Sequence, residues 1–366
     1  MRVSLLVEAA TMLQALPYLL GFVMPALVIL SASLGGWWTL LPVAFVYGVL
    51  PLLDALAGLN VRNPEPGEVA SLSGNLWFRL VTWTWVPVQI SLLVWALVVV
   101  TGGTVAAWDA VGLTVSVGLT TGAVGITFAH ELIHRPGRFE RALGEILLTT
   151  VSYSHFCIEH VHGHHRHVAT PLDPATSRLG ESVYAFYPRT VLGGVRSAWR
   201  IEVDRLSRRG LPAWHPSNRM LRYAIVQVAL YVGVAFTSGA VGLALFAGQA
   251  IVAFSMLETV NYVEHYGLQR RVVAPGKYER VMPWHSWNSS HRVSNWLLIN
   301  LARHSDHHYI ATKRYQTLEH LDSAPQLPAG YGTMFLVALV PSLWRRIMDP
   351  RVETWRQRSW SQPAAT

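Results

Sequence analysis

Apolar residues along this chain gather into long unbroken stretches. They do not recur every second position, as in a half-buried strand, or every third to fourth, as in a surface helix. Six stretches match the 17–25 or so helical residues needed to cross a bilayer. They cover residues 13–34, 37–57, 80–101, 108–129, 221–238 and 241–261. The second and sixth contain Asp54 and Glu258, so their ends are less sharply marked. A further apolar run at 331–344 is short and contains Pro341, which reads as an interfacial or re-entrant helix. The pattern predicts an all-α integral membrane protein of six transmembrane helices. Composition agrees: 51% of residues are hydrophobic and 14% charged, against about 25% charged in soluble domains. Mean hydropathy is +0.30.

Charge placement orients these helices. With the N-terminus inside, the outer connections fall near Ser33–Trp38, Thr101–Ala107 and Thr237–Ala240, and none contains Lys or Arg. All 29 Lys and Arg then lie on the cytoplasmic side or at its boundary, as the positive-inside rule requires. The short outer turns define three membrane hairpins. Residues 130–220 and 262–366 form a cytoplasmic helical cap, with both termini cytoplasmic and residues 1–366 acting as one domain. The net charge of +8 follows from this topology, and no nucleic-acid motif accompanies it. A basic cap suits an acidic protein partner or anionic headgroups. The single cysteine, Cys157, excludes a disulfide framework and any cysteine-ligated iron–sulfur or rubredoxin module within the chain.

Histidines change the picture from membrane protein to metal site. Nine fall in four short clusters: His130-x-x-x-His134, His160-x-x-x-His164-His165, His265, and His304-x-x-His307-His308. Neutral imidazoles suit iron, zinc, copper and nickel. Neighbours three and four apart share a helix face, so each multi-histidine cluster is expected to aim at one point. A catalytic zinc takes about three protein ligands, so nine imidazoles point to two metal ions. His265 has the weakest case on its own, but it ends the polar run Asn261–Gly267 at a membrane-helix end, where polar groups are costly and usually functional. Glu131, Glu159, Glu264 and Asp306 are candidates for the carboxylates that orient ligating imidazoles, with plain salt bridges to nearby arginines as the alternative. His155, His285 and His291 are expected to support the site. His162, His167 and His320 are expected at the surface.

At this level of detail the chain resembles the membrane-bound non-haem di-iron alkane 1-monooxygenases, within the fatty-acid desaturase and hydroxylase superfamily. The resemblance rests on the four histidine clusters, including Glu159-His160-x-x-Gly163-His164-His165, Asn261-Tyr-x-Glu-His265-Tyr-Gly-Leu268 and Arg303-His-Ser-Asp-His-His308. It extends through Val168–Pro171, His285–Asn288, Arg314–Thr317 and Pro325–Pro328. Arg135 and Ala302 depart from the usual family residues without touching the clusters.

The resemblance implies a di-iron centre held by His130, His134, His160, His164, His165, His265, His304, His307 and His308. It implies reduction of O2 with two electrons and insertion of one oxygen atom into the terminal methyl of a medium-chain n-alkane. It also implies a bacterial-type inner membrane, lateral entry of substrate from the bilayer, and bulk on the second span as a limit on chain length. With no flavin or NAD motif in the chain, electrons must come from outside it, and the resemblance implies rubredoxin or ferredoxin with its NAD(P)H-dependent reductase as their source. Hydroxylation of an aromatic methyl group is the nearest alternative. His130-Glu131-x-x-His134 alone would also fit an intramembrane zinc protease, and a non-enzymatic metal-binding transporter is a third reading. The scarcity of ionisable residues within the spans argues against an ion pathway.

Overall fold

The computed structural model describes residues 12–103, 105–361 and 364–365, and it is mostly helical. In chain order the main elements are α1 (Met12–Leu34), α2 (Gly36–Ala57), α3 (Val69–Thr101) and α4 (Ala107–Ile133), followed by α5 (Arg138–Thr150), α6 (Val183–Ser207) and α7 (Arg219–His265). A small antiparallel hairpin pairs β1 (Val272–Ala274) with β2 (Lys277–Tyr278). After it come α8 (His304–Tyr309), α9 (Tyr331–Ala338) and α10 (Pro341–Ser361).

Five of these segments, α1 to α4 and α7, are long and apolar enough to cross a membrane. The sequence pattern predicts six, and the difference lies in α7. Its 47 residues would reach about 70 Å if straight, at 1.5 Å per residue. Gly239 breaks it with φ 59° and ψ −163°, a conformation that glycine adopts without a Cβ clash. Beyond the break the chain folds back, because the rings of Tyr231 and Phe246 meet at 5.4 Å. The two arms of α7 therefore carry the two apolar stretches expected at 221–238 and 241–261.

Small residues let α4 and α7 touch backbone to backbone. A Cβ on Gly122 would come within 2.9 Å of the Ala253 backbone, and one on Gly118 within 2.7 Å of the Gln249 carbonyl oxygen. This is the close approach that small residues four apart allow between membrane helices. Buried amides then tie the bundle together, which keeps their polar groups satisfied in an apolar setting. Thr121 donates to Gln249 Oε1 (2.9 Å), Gln249 Nε2 to the Thr150 carbonyl (2.9 Å), and Gln89 Nε2 to Thr150 Oγ1 (2.7 Å).

Two helices run further than their apolar pattern. α4 continues to Ile133 and α7 to His265, so the first histidine cluster and His265 ride on the ends of these long helices. The apolar run at 331–344 is not among the segments long and apolar enough to cross a membrane, as expected of a short, non-spanning helix. It forms α9, which is half embedded in protein: Tyr331, Gly332, Met334 and Ala338 are buried, and Pro341 starts α10. At the opposite end, Gly36 N donates to Asp109 Oδ1 (2.8 Å) and the rings of Trp37 and Trp108 meet at 5.1 Å. These contacts fasten the α1–α2 turn to the start of α4.

Candidate metal centre

The nine clustered histidines converge, but not cluster by cluster. His130, His134, His160, His165 and His307 bring one ring nitrogen each to one point, and His164, His265, His304 and His308 to a second; within each group the nitrogens lie within 4.8 Å of one another. Only the first cluster stays whole. His164 parts from His165, and His307 from His308, because successive residues on a helix point about 100° apart. His304 and His308 stay together at the four-residue spacing of α8. His160 and His165, five apart, are joined because residues 160–164 form a π-helical turn, a wider turn that recurs at functional sites.

The nitrogen separations test whether a metal fits. His160 and His165 face each other through Nε2 at 3.0 Å, and His165 and His307 at 3.1 Å. In the second group His265–His304 is 3.2 Å, His304–His308 2.9 Å and His164–His308 3.2 Å, again between Nε2 atoms. One Nε2 offers either one N–H or one lone pair, so His165 and His304 cannot each bond two facing Nε2 atoms. A cation between them satisfies all. Metal–imidazole bonds of about 2.1 Å meeting near 90° put neighbouring nitrogens about 3.0 Å apart. Both ring nitrogens of His130 and Nε2 of His134 are buried without a partner, which is costly for a polar group. The residues fit two metal ions.

Electrostatics favour the neutral, ligating form. Burial, reinforced by neighbouring imidazoles, holds His134, His160, His165, His304, His307 and His308 well below the ordinary histidine range. His164 is the exception. Burial lowers it, but the charge and hydrogen bond of Asp173 outweigh burial and raise it. Asp173 Oδ2 lies 2.9 Å from His164 Nδ1, the arrangement by which a carboxylate fixes an imidazole's tautomer and orientation. Sequence reading missed Asp173. The usable signal was an acidic residue two positions after the Val168–Pro171 block.

Of the four carboxylates proposed from sequence, Glu264 alone meets a clustered imidazole. Its Oε2 is 3.1 Å from His304 Nε2, and its Oε1 accepts from Tyr331 Oη at 2.7 Å. Glu131 pairs with Arg135 at 3.4 Å, and Asp306 binds Lys313 at 2.9 Å; both take the salt-bridge alternative. Glu159 is buried with Oε1 unpartnered. Burial and then the nearby Asp173 charge push it up to about 8.

The remaining histidines divide differently from expectation. His155 lines a small polar cavity beside His160, His164, Glu159 and Glu258. His285, 3.3 Å from Glu279, and His291, 2.9 Å from Ser289 Oγ, flank a loop that packs against the site, with Ser286 Oγ 3.5 Å from His265 Nδ1 and Asn288 Oδ1 accepting from Ser305 N. His320 is not a free surface residue, since its Nδ1 is 2.7 Å from Ser290 Oγ. His162 is exposed and His167 half-buried.

An apolar cavity of about 90 Å³ adjoins both groups. Its wall includes His130 and His160 of the first group, and His304 with Glu264 of the second. The rest is largely aliphatic and aromatic, with Leu50, Ile126, Met256, Leu297 and Phe335 among its side chains.

Helices long enough to span a bilayer, a nine-imidazole cluster and an adjoining apolar cavity define a membrane protein with a metal-binding type of site. The fatty acid desaturase family profile matches residues 106–338, a span that holds all nine clustered histidines. More narrowly, the chain belongs to the alkane 1-monooxygenase family. It is 41% identical to alkane 1-monooxygenase 2 of Pseudomonas aeruginosa over 95% of both chains. With alkane 1-monooxygenase 1 of the same organism it shares 44% identity over 87% of this chain and 84% of that one. A more distant relative is the xylene/toluene monooxygenase hydroxylase component of Pseudomonas putida, 31% identical over 68% of this chain and 66% of that one.

Proposed function

We propose that this protein is a di-iron monooxygenase that hydroxylates the terminal methyl of medium-chain n-alkanes. It would consume O2 and two electrons from rubredoxin or ferredoxin, kept reduced by an NAD(P)H-dependent reductase. The observation that carries this reading is the apolar cavity bordered by both histidine groups. His130, His134, His160, His165 and His307 would hold one iron, and His164, His265, His304 and His308 the other. When bound, the pair supplies the O2-reducing, C–H-oxidising chemistry that side chains lack.

The chain's own residues bind and aim the substrate. Each CH2 moved from water to the apolar wall contributes roughly 0.8 kcal/mol, and with few polar partners along the wall the alkane is held by shape. Tyr47 of α2 reaches that wall and packs against Phe335 at 5.2 Å. It is the bulkiest α2 side chain there, so we assign it the chain-length limit that family resemblance places on the second span. Tyr331 holds Glu264 beside His304, keeping the carboxylate oriented at the cavity wall. Among the proposed finer features are six crossings, counting the two α7 arms separately, with the cap and both termini in the cytoplasm of an inner membrane. The absence of Lys and Arg from the outer turns supports that orientation. The zinc-protease reading fares worse, because His130 and His134 converge with three further imidazoles where a hydrolytic zinc needs an open position.

Product analysis in membranes supplied with rubredoxin and its reductase tests the proposal, with n-octane, n-dodecane and p-xylene competing under labelled O2. Labelled 1-alkanols are expected as the main products. A labelled benzylic alcohol in their place would move the protein to aromatic-methyl oxidation, and no labelled product from iron-loaded membranes would overturn the reading.

A further inference from the structure

On the outer face of the cap, a groove of about 730 Å³ runs between α6 and the 162–178 segment. Five arginines line it, Arg166, Arg178, Arg189, Arg196 and Arg200, against two carboxylates, Asp173 and Asp204. Arg189 is bound to Glu181 at 2.7 Å. The other four are exposed, and none has an ion-pair partner among the described residues. Arg189, Arg196 and Arg200 share one face of α6, at the spacing that places side chains in a single helical stripe. Leu172 and Leu192, 59% and 56% exposed, add apolar surface within this basic ring.

The floor of the groove is the outer edge of the histidine site. Asp173 lines the groove, and the same carboxylate holds His164 at 2.9 Å. His164 Nε2 in turn faces His308 at 3.2 Å. A single carboxylate, Asp173, therefore separates the basic surface from the second histidine group. An apolar patch ringed by charge has the anatomy of a protein interface. Weak electron-transfer encounters use small contacts and depend on charge complementarity for steering.

We propose that this groove docks an acidic one-electron carrier protein, which delivers electrons by way of Asp173 and His164. The inference rests on the hydroxylase reading above, which requires an external reductant. In two successive encounters the reduced carrier loses one electron each time. Summed over both, RH + O2 + 2e⁻ + 2H⁺ gives ROH + H2O, with the protons drawn from solvent.

The test compares the full chain in nanodiscs with R196E/R200E and with a control, R346E/R351E, that reverses two exposed arginines on α10. Binding of reduced, negatively charged rubredoxin is measured across a salt series, alongside the KM for rubredoxin in alkane turnover. The groove variant should weaken binding about tenfold at low salt and flatten its salt dependence. The control should bind like the unaltered protein, and bound iron should be the same in all three. R196Q/R200Q, expected to fall between the unaltered and reversed chains, guards against misfolding of the reversed pair. Unchanged binding by the groove variants would overturn the proposal, as would an equal loss in the control or binding that changes only for anionic lipid vesicles. Groove-dependent binding without alkane oxidation would leave the docking surface standing and sink the hydroxylase reading instead.

Discussion

Adjacent histidines on a helix point about 100° apart, and that geometry divides His164 from His165 and His307 from His308. Each dipeptide reaches into both nitrogen groups, so these residues join the two sites mechanically. The nine histidines were legible because imidazoles at helical spacings stand out in an apolar chain. Their partition was not, since it depends on a π-helical turn and on how α4, α7 and α8 meet. Asp173 was invisible for a related reason: its nine-residue separation from His164 closes only in the folded loop. Asp173→Asn should weaken metal retention by about tenfold to a hundredfold, read as iron lost to a chelator over time; retention equal to the unaltered protein would count against its orienting role. His265→Ala should lower bound iron and abolish hydroxylation while the helical content stays unchanged. Full iron content with normal turnover would remove His265 from the ligand set.

Helix ends show where an apolar pattern stops being informative. α4 and α7 run past their hydrophobic stretches to Ile133 and His265, because the backbone can remain helical while its side chains turn from lipid to surrounding protein. The membrane segments themselves were legible from hydropathy. The inward packing of α9 was not, because a short apolar run reads alike whether protein or lipid covers it. Outside the bundle, a charge cluster ties α6 to the start of α7: Arg205 and Arg219 both bond Glu202, at 2.8 and 2.7 Å. Burial alone would raise the Glu202 carboxyl, but the hydrogen bonds from Arg205 and Arg219 outweigh it and hold it at about 2. A folded-state value below the ordinary 4.5 contributes stability above pH 4.5, lost as pH falls toward 2. Thermal unfolding in detergent should therefore show Glu202→Gln well below the unaltered protein at pH 7, with the gap narrowing between pH 4.5 and 3. A gap constant across that range would mean that the cluster does not act through charge.

Across the whole molecule, membrane placement and chemistry serve one another. Hydrocarbon substrates concentrate in the bilayer, and the cavity lies among the ends of α2, α4 and α7 where the histidines gather. The long apolar helices were legible from the hydrophobic pattern, whereas the cavity required side-chain packing that no pattern encodes. Tyr47→Ala should shift the preferred alkane upward by several carbons, seen as the ratio of dodecanol to octanol in competition; an unchanged ratio would place the limit elsewhere on the wall. The central claim is that nine imidazoles make two metal positions. It is tested most directly by metal analysis of the purified full-length chain, by mass spectrometry against protein concentration. Two irons per chain are predicted, falling in the His304→Ala/His308→Ala variant as the four-histidine group empties. One zinc per chain, indifferent to those two substitutions, would contradict the account.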